Sequence, residues 1–311
     1  MDLPKLSIIV PCFNEEQTIV TFYQETEKAL ASIQENYIIE YVFIDDGSID
    51  KTLSILKDLS LQDERIHYIQ FSRNFGKESA IYAGLENATG DYLVTMDVDL
   101  QDPPSLIPEM LEAVIGGDID CAGSRRVTRA GEPLIRSFFA RKFYKIMRNF
   151  SEVDIVDGAR DFRVMTKLYA DAILSVKEKN RFSKGIFPWV GFKTKWFEYE
   201  NIQRSAGETK WSFGKLFLYS MDGIIAFSSK PLIIASILGF FLAFLSIIMI
   251  IFVIVRKLIY DDPVAGWASL VCIILFCSGL QLSAIGILGE YLSKIYIEVK
   301  ARPLYIIKEK R

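Results

Sequence analysis

Gly90-Asp91-Tyr92-Leu93-Val94-Thr95-Met96-Asp97-Val98-Asp99-Leu100-Gln101-Asp102-Pro103-Pro104 opens as a short apolar strand and closes in a run of side-chain oxygens. Tyr92 to Asp97 carries the aromatic and β-branched residues of a buried strand, and Pro103-Pro104 ends any continuation. Asp97 and Asp99 are ionised at neutral pH, since a carboxyl of this type has a reference pKa near 3.9. At a strand end the pair can turn toward one hard cation, with Gln101 as a further oxygen donor. Mg2+ or Mn2+ suits such ligands, because these ions keep several waters and leave room for phosphate oxygens. An exposed acidic turn has the same bare Asp-x-Asp pattern; the buried strand before it and the prolines after it favour a site.

Outward from this stretch the first half repeats one rhythm. Leu6 to Val10 reads as a strand, and Ile19, Phe22, Tyr23, Thr26, Leu30 and Ile33 recur at helical spacing. Tyr41 to Asp45 is a second strand, followed by a helix through Leu53, Ile55, Leu56 and Leu59; Ile66 to Phe71 is a third, followed by a helix over 78–87. Alternating strands and helices predict an α/β, mostly parallel sheet with helices on both faces. Ligands of such sheets gather beyond the carboxyl ends of the strands. The polar clusters lie at those ends. Pro11-Cys12-Phe13-Asn14-Glu15-Glu16 and Asp45-Asp46-Gly47-Ser48 can line a nucleotide pocket, the carboxylates accepting from a base or ribose. Ser48 or Asp50 can equally cap the next helix. Arg73 and Lys77 offer two cations suited to a pyrophosphate.

The chain has 311 residues, 50% of them apolar and 24% charged, and a net charge of −3 that points to no nucleic-acid partner. The apolar surplus is concentrated. Residues 232–255 and 267–288 are each long enough to cross about 30 Å of hydrocarbon. Lys and Arg are richer before and after the pair than between them, which predicts both termini and the main domain in the cytoplasm. Met1 to Lys5 leads straight into a strand, unlike a signal peptide, and Cys12, Cys121, Cys272 and Cys277 lack metal-ligand spacing, in keeping with a reduced compartment. The segment 134–150 has an aromatic face and a basic face, as an interfacial helix has, or an ordinary packing helix with a solvated side; 213–228 is a second candidate. Ala235, Gly239 and Ala243 form a small-residue face, and Gln281 would seek a partner across helices. That face and the tail 301–307 hint at a homo-oligomer. His67 lies away from every motif.

These clusters together resemble family 2 glycosyltransferases of the GT-A fold, a Rossmann-like sheet, here followed by two transmembrane helices. The similarity is greatest to the polyprenyl-phosphate branch, the dolichol-phosphate mannose synthases and GtrB-type bactoprenol glucosyltransferases. It continues through Gly123-Ser124-Arg125-Arg126, Gly158-Ala159-Arg160-Asp161-Phe162-Arg163 and Arg204-Ser205-Ala206-Gly207-Glu208-Thr209-Lys210-Trp211. Phe13 departs from a common tyrosine, which puts only a hydroxyl contact in question. The resemblance implies a catalytic domain over 1–230, and two spans with a cytoplasmic tail over 231–311. It implies Asp97, Asp99 and Gln101 as the metal and diphosphate site. Pro11, Phe13, Asn14, Glu15, Asp45, Asp46, Arg73, Lys77, Asp97 and Val98 would bind the nucleotide-sugar, with the choice between Asp45 and Asp46 for the base left open. Arg125, Arg129, Arg204 and Lys210 would hold a lipid phosphate. Asp99, Arg125 and Asp161 would be catalytic, Asp161 as base or orienter, or else simply paired with Arg160, Arg163 or a neighbouring loop.

The activity so implied is inverting transfer of a hexose from a UDP-sugar, UDP-glucose first, to polyprenyl phosphate in the bilayer, yielding a lipid-linked sugar for cell-surface glycans. A processive polysaccharide synthase would carry Gln-x-x-Arg-Trp, and Gln203-Arg204 and Trp211 are not so spaced. A non-catalytic sugar-nucleotide sensor has no need of the acidic strand end.

Overall fold

The computed structural model describes residues 3–127, 156–200, 225, 228–260 and 266–311. The expected interfacial helices near 134–150 and 213–228 lie almost wholly outside them. Eight strands form one sheet in the order β7-β5-β6-β4-β1-β2-β3-β8. They are β1 (Lys5–Cys12), β2 (Ile38–Asp45), β3 (Ile66–Phe71), β4 (Tyr92–Thr95), β5 (Cys121–Arg126), β6 (Ala159–Thr166), β7 (Thr194–Tyr199) and β8 (Ile307–Lys310). β1 to β4 run parallel, β6 lies antiparallel between β4 and β5, and β7 is parallel to β5. The sheet is therefore mostly parallel, as the rhythm predicts.

Alternation along the strands divides the core in two. Leu6, Ile8, Val10, Tyr41, Phe43 and Val94 face α1 (Ile19–Leu30), α2 (Thr52–Gln62) and α4 (Ile107–Ile115). Ile9, Val42, Ile44 and Leu93 face α3 (Lys77–Asn87), α5 (Lys167–Ser175) and α6 (Ser183–Trp189). A period of two places successive side chains on opposite faces, so a continuous apolar strand serves both layers. Gly84 brings α3 hard onto β1, where a Cβ would sit 2.1 Å from Ile9 Cγ2.

Register decides where the site lies. Cys12 pairs with Asp45, Asp45 with Gln70, and Ile9 with Thr95, so the carboxyl ends of the four parallel strands meet at one edge. β4 stops at Thr95, two residues short of the expected end. Met96 N–H still bonds to Ile9 O at 3.1 Å, but the chain then turns, and Leu100 adopts φ 54°. Asp97 and Asp99 thus occupy the turn beyond the strand.

Two long helices follow, α7 (Lys230–Tyr260) and α8 (Trp267–Val299). Their 31 and 33 residues run about 46 and 50 Å at 1.5 Å per residue, beyond the 30 Å of hydrocarbon. The apolar stretches Lys230–Val255 and Ile273–Val299 are each long enough to cross a membrane. α8 continues past the expected boundary at Leu288 through Glu290, Lys294 and Glu298. Glu298 accepts the backbone N–H groups of Lys179 (2.7 Å) and Asn180 (3.1 Å), tying the helix end to the sheet domain.

The tail then returns to the sheet. β8 pairs antiparallel with β3, the Tyr305 ring stacks on Phe71 at 4.9 Å, and Glu309 receives Lys57 Nζ and the Tyr68 hydroxyl, each at 2.7 Å. Ala235, Gly239 and Ala243 line a gap of about 390 Å³ between α7 and α8, with Gln281 in the same gap. His67 lies on the surface, 3.9 Å from Glu40.

Candidate active site

The loops after β1 and β2 are latched together by short polar side chains. Asn14, at φ 55°, donates its N–H to Ser48 Oγ (2.9 Å), while its Oδ1 accepts from Ile49 N–H (2.9 Å). Glu15 N–H donates to Thr52 Oγ1 at 2.8 Å, and Asp50 Oδ1 accepts the Thr52 N–H at 3.0 Å, at the start of α2. Capping and pocket-building are therefore done by the same loop. Gly47 (φ +71°) lets it lie against the next one; a Cβ there would be 2.5 Å from the Arg73 carbonyl carbon.

Asp45 and Asp46 are both buried but act differently. Asp46 accepts the N–H groups of Phe75 (2.6 Å) and Gly76 (2.9 Å) and so braces the loop after β3. Burial raises its pKa above the ordinary carboxylate value, those N–H bonds opposing the shift. Asp45 Oδ1 accepts the Ser48 N–H at 3.0 Å, and its Oδ2 is buried without a partner among the described residues. Pro11 is half-buried at the strand end and Phe13 is exposed beside it. Val98 packs its side chain into the core beneath, leaving only its backbone toward the site. Arg73 folds over the Phe75 ring at 4.0 Å and donates to Asn74 O.

At the centre, Lys77 Nζ lies 2.6 Å from Asp97 and 2.5 Å from Asp161. Sequence reading set Lys77 against a pyrophosphate; in the structure it joins the acidic turn of β4 to the head of β6. Burial would lower its pKa, but Asp161 and Asp97 hold it well above the lysine value. For Asp161 burial is likewise overruled, and the charges of Lys77 and Lys184 keep its carboxyl well below the usual range. Both partners are charged at neutral pH. The Thr95 hydroxyl fixes the Asp161 carbonyl at 2.6 Å.

Arg160 and Asp161 are neighbours on a strand and face opposite ways. Of the partners left open for Asp161, neither Arg160 nor Arg163 pairs with it; the neighbouring loop does, through Lys77 where it runs into α3. Arg160 instead donates to buried Asp102 (3.1 Å) and to Gln101 Oε1 (3.3 Å), and the Tyr199 hydroxyl also donates to Asp102. This cluster props the turn from below.

Gln101 thus gives its oxygen to Arg160, and its N–H donates to Asp99 Oδ1 at 3.2 Å. The carboxylates a cation would meet at this turn are Asp97, bridged by Lys77, and Asp99. Among the described residues no group of three or more His, Cys, Asp or Glu could hold a metal by itself. A cation at Asp97 and Asp99 would therefore complete its shell with water and phosphate oxygens, the habit of Mg2+ and Mn2+. The residues fit that kind of ion, Gln101 less directly than the sequence suggests.

Arg125 lies at the same edge, its Nε donating to Asp157 O (3.0 Å) and its Nη1 lying 3.2 Å from Glu198. Arg129, Arg204 and Lys210 lie outside the described residues. Sequence reading missed the Lys77 bridge, Lys184 and the Asp102–Arg160–Tyr199 prop. The strand period could have separated Arg160 from Asp161; the contact of Tyr199 with Asp102 spans 97 positions and leaves no local mark.

Comparison with known proteins bears on this arrangement. The profile described as Glycosyl transferase family 2 matches residues 7–174. The SfII prophage-derived bactoprenol glucosyl transferase of Shigella flexneri is 41% identical over 307 residues, 98% of each chain. The uncharacterized glycosyltransferase YkcC of Bacillus subtilis (strain 168) is 41% identical over 303 residues, 97% of this chain and 93% of that one. Among solved structures, glucosyl-3-phosphoglycerate synthase from Mycobacterium tuberculosis, in complex with Mn2+, UDP-glucose and phosphoglyceric acid, is similar with a TM-score of 0.48. That match has 16% identity and covers 71% of this chain and 78% of that one.

Proposed function

The chain belongs to glycosyltransferase family 2, and from that premise we propose that it transfers glucose from UDP-glucose to a polyprenyl phosphate, with inversion, at the cytoplasmic face of a membrane. The observation that carries the reading is the meeting of Asp97, Asp161 and Lys77 at the sheet edge of a domain that also bears two apolar helices long enough to span a bilayer. The bactoprenol glucosyl transferase of Shigella flexneri supports the sugar and the acceptor.

Asp45 and the loop 11–15 would hold the nucleoside, Asp45 Oδ2 being a buried acceptor with no donor among the described residues. Asp97 and Asp99 would hold Mg2+ or Mn2+, which when bound supplies positive charge to a leaving diphosphate. Lys77 stands where it can pass from Asp97 to a donor phosphate oxygen and release Asp161 to orient the acceptor. A phosphate monoester has its second pKa near 6 and is largely dianionic at neutral pH. It needs a strong base less than a sugar hydroxyl does. That suits Asp161, whose depressed pKa makes it a weak base. The harder task is to bring a dianion against a diphosphate. Arg125, with Arg129, Arg204 and Lys210 from outside the described residues, would offset that repulsion, and preorganised charge of this kind is often the largest catalytic contribution.

A panel of radiolabelled nucleotide-sugars with undecaprenyl phosphate and Mn2+ tests the reading. Label should pass into the organic phase with UDP-glucose. Label with none of the donors, or only in a water-soluble polymer, would refute it. Asp99→Ala should abolish transfer while leaving membrane insertion intact, as measured by activity and by flotation with vesicles; retained transfer would remove the metal assignment.

A further inference from the structure

On the face of β6 that carries Asp161, two residues further along, lies Arg163, which the site above does not use. It is 2% exposed. Its guanidinium lies between the rings of Phe187 (4.2 Å) and Trp196 (5.0 Å). Rings cover the faces of a planar cation but leave the N–H donors around its edge unsatisfied. Among the described residues that edge reaches only Cys121 Sγ, 3.9 Å from Nη1, while Nε is buried with no partner and no carboxylate pairs with the group. Arg160, on the other face, has Asp102. A buried cation without a counter-charge costs several kcal/mol, so the missing partner needs a physical account.

Arg163 lines a cavity of about 250 Å³, with Lys184, Ala159, Pro188, Thr194 and Trp196 among the walls, and none of the described wall residues is acidic. A water's share of liquid volume is about 30 Å³, so the space admits a tetrahedral oxyanion and several waters. Lys184 also stands close enough to Asp161 to act on its carboxyl. Two cations therefore converge on a volume whose described walls carry no carboxylate. That composition differs from the Asp97–Asp99 turn: it repels a metal ion and attracts a metal-free anion. Guanidinium edges match phosphate oxygens in a two-pronged geometry, and an ammonium adds a point charge.

We propose that this cavity is a second phosphate site, in which Arg163 and Lys184 bind a metal-free phosphate dianion carried either by a lipid headgroup or free in solution. The lipid source rests on the acceptor reading above. The free-ion source stands without it.

The test is acylation of Lys184 in the full chain in nanodiscs, followed by peptide mass spectrometry. The arms are inorganic phosphate, undecaprenyl phosphate in the bilayer, UDP with Mn2+, and chloride at matched ionic strength. Slower Lys184 labelling with inorganic phosphate assigns a free-ion site. Slower labelling with the lipid alone assigns a headgroup site, and either result supports the proposal. Equal labelling in all arms overturns it, as does protection by UDP with Mn2+ alone, which would make the cavity part of the donor site. Arg163→Lys should raise the phosphate concentration for half-protection about tenfold. Should that buried variant fail to fold, Lys184→Gln, at a half-buried position, serves instead. Its phosphate-induced rise in Tm should vanish, and an undiminished rise refutes the site. Failure of sugar transfer with intact phosphate protection would count against the donor reading only.

Discussion

Lys77 and Glu78 stand side by side at the start of α3 and answer to the same carboxylate, Asp161. Burial first, and the Asp161 charge second, lift the Glu78 pKa from 4.5 to about 7, although the Ser183 N–H and hydroxyl both donate to it. The folded chain thus holds that proton more tightly than the unfolded one. Stability from this group is complete below pH 4.5, falls as pH rises through about 7, and is flat beyond. Glu78→Gln should remove this slope, so the wild type should lose on the order of 1–3 kcal/mol relative to the variant across that window. Unfolding midpoints measured over the range check it; a constant difference between the two proteins would contradict the assignment. At this scale the sequence was legible where polarity breaks abruptly after an apolar strand, as at Asp45, Asp97 and Asp99. It was silent where a partner comes from far along the chain. Lys77 meets Asp161 across 84 positions, and Ser183 meets Glu78 across 105. No local spacing encodes such contacts.

At the scale of elements, the site is a set of loops held in contact by backbone fit. Gly47→Ala would place a methyl group 2.5 Å from the Arg73 carbonyl carbon at a left-handed φ. The backbone penalty is about 1–2 kcal/mol and the overlap adds to it, so denaturant unfolding should show a loss of about 2–4 kcal/mol. A change under about 0.5 kcal/mol would mean that the loops part easily. Tyr305→Ala removes the ring stacked on Phe71 and the hydroxyl that donates to Glu86. Hydrogen exchange in β3, over Ile66–Phe71, should then quicken while β1 stays protected; unchanged exchange in β3 would show that the tail adds nothing to that edge. The strand rhythm of β1 to β4 was readable because buried parallel strands are continuous apolar runs. β8 was not: Ile307-Lys308-Glu309-Lys310 has three charges in four residues, and only its partner makes it a strand. β5 to β7 escaped as elements for a related reason, since Arg125, Arg160, Asp161 and Arg163 interrupt the apolar pattern with the very groups that form the site.

For the whole molecule, sheet and helices form a closed circuit. The chain leaves the domain into α7, turns, and comes back along α8 to lay β8 on the same sheet that contains β1. If both helices cross a bilayer, the shared sheet requires both chain ends on one side, with residues 261–265 on the other. Cysteine-labelling of tagged vesicles should find residues near Lys5 and Lys310 accessible from the same side and a cysteine in 261–265 accessible from the opposite one. Accessibility of all three from one side would exclude spanning. Hydropathy alone marked both helices by their long apolar runs; that α8 runs on to Val299 was not legible, because Glu298 looks like a solvent residue until its contact with Lys179 and Asn180 is known.

The bond between Tyr68 and Glu309 joins positions 241 apart, with both hydrophobic helices between them. While the ribosome is still making those helices, the rim of β3 has no neighbour and its backbone donors stay bare. Completion of the sugar-handling half therefore waits for the hairpin to enter the lipid and come out again. A chain whose hairpin failed to cross and return would hold its last segment away from β3 and leave that border of the sheet unpaired.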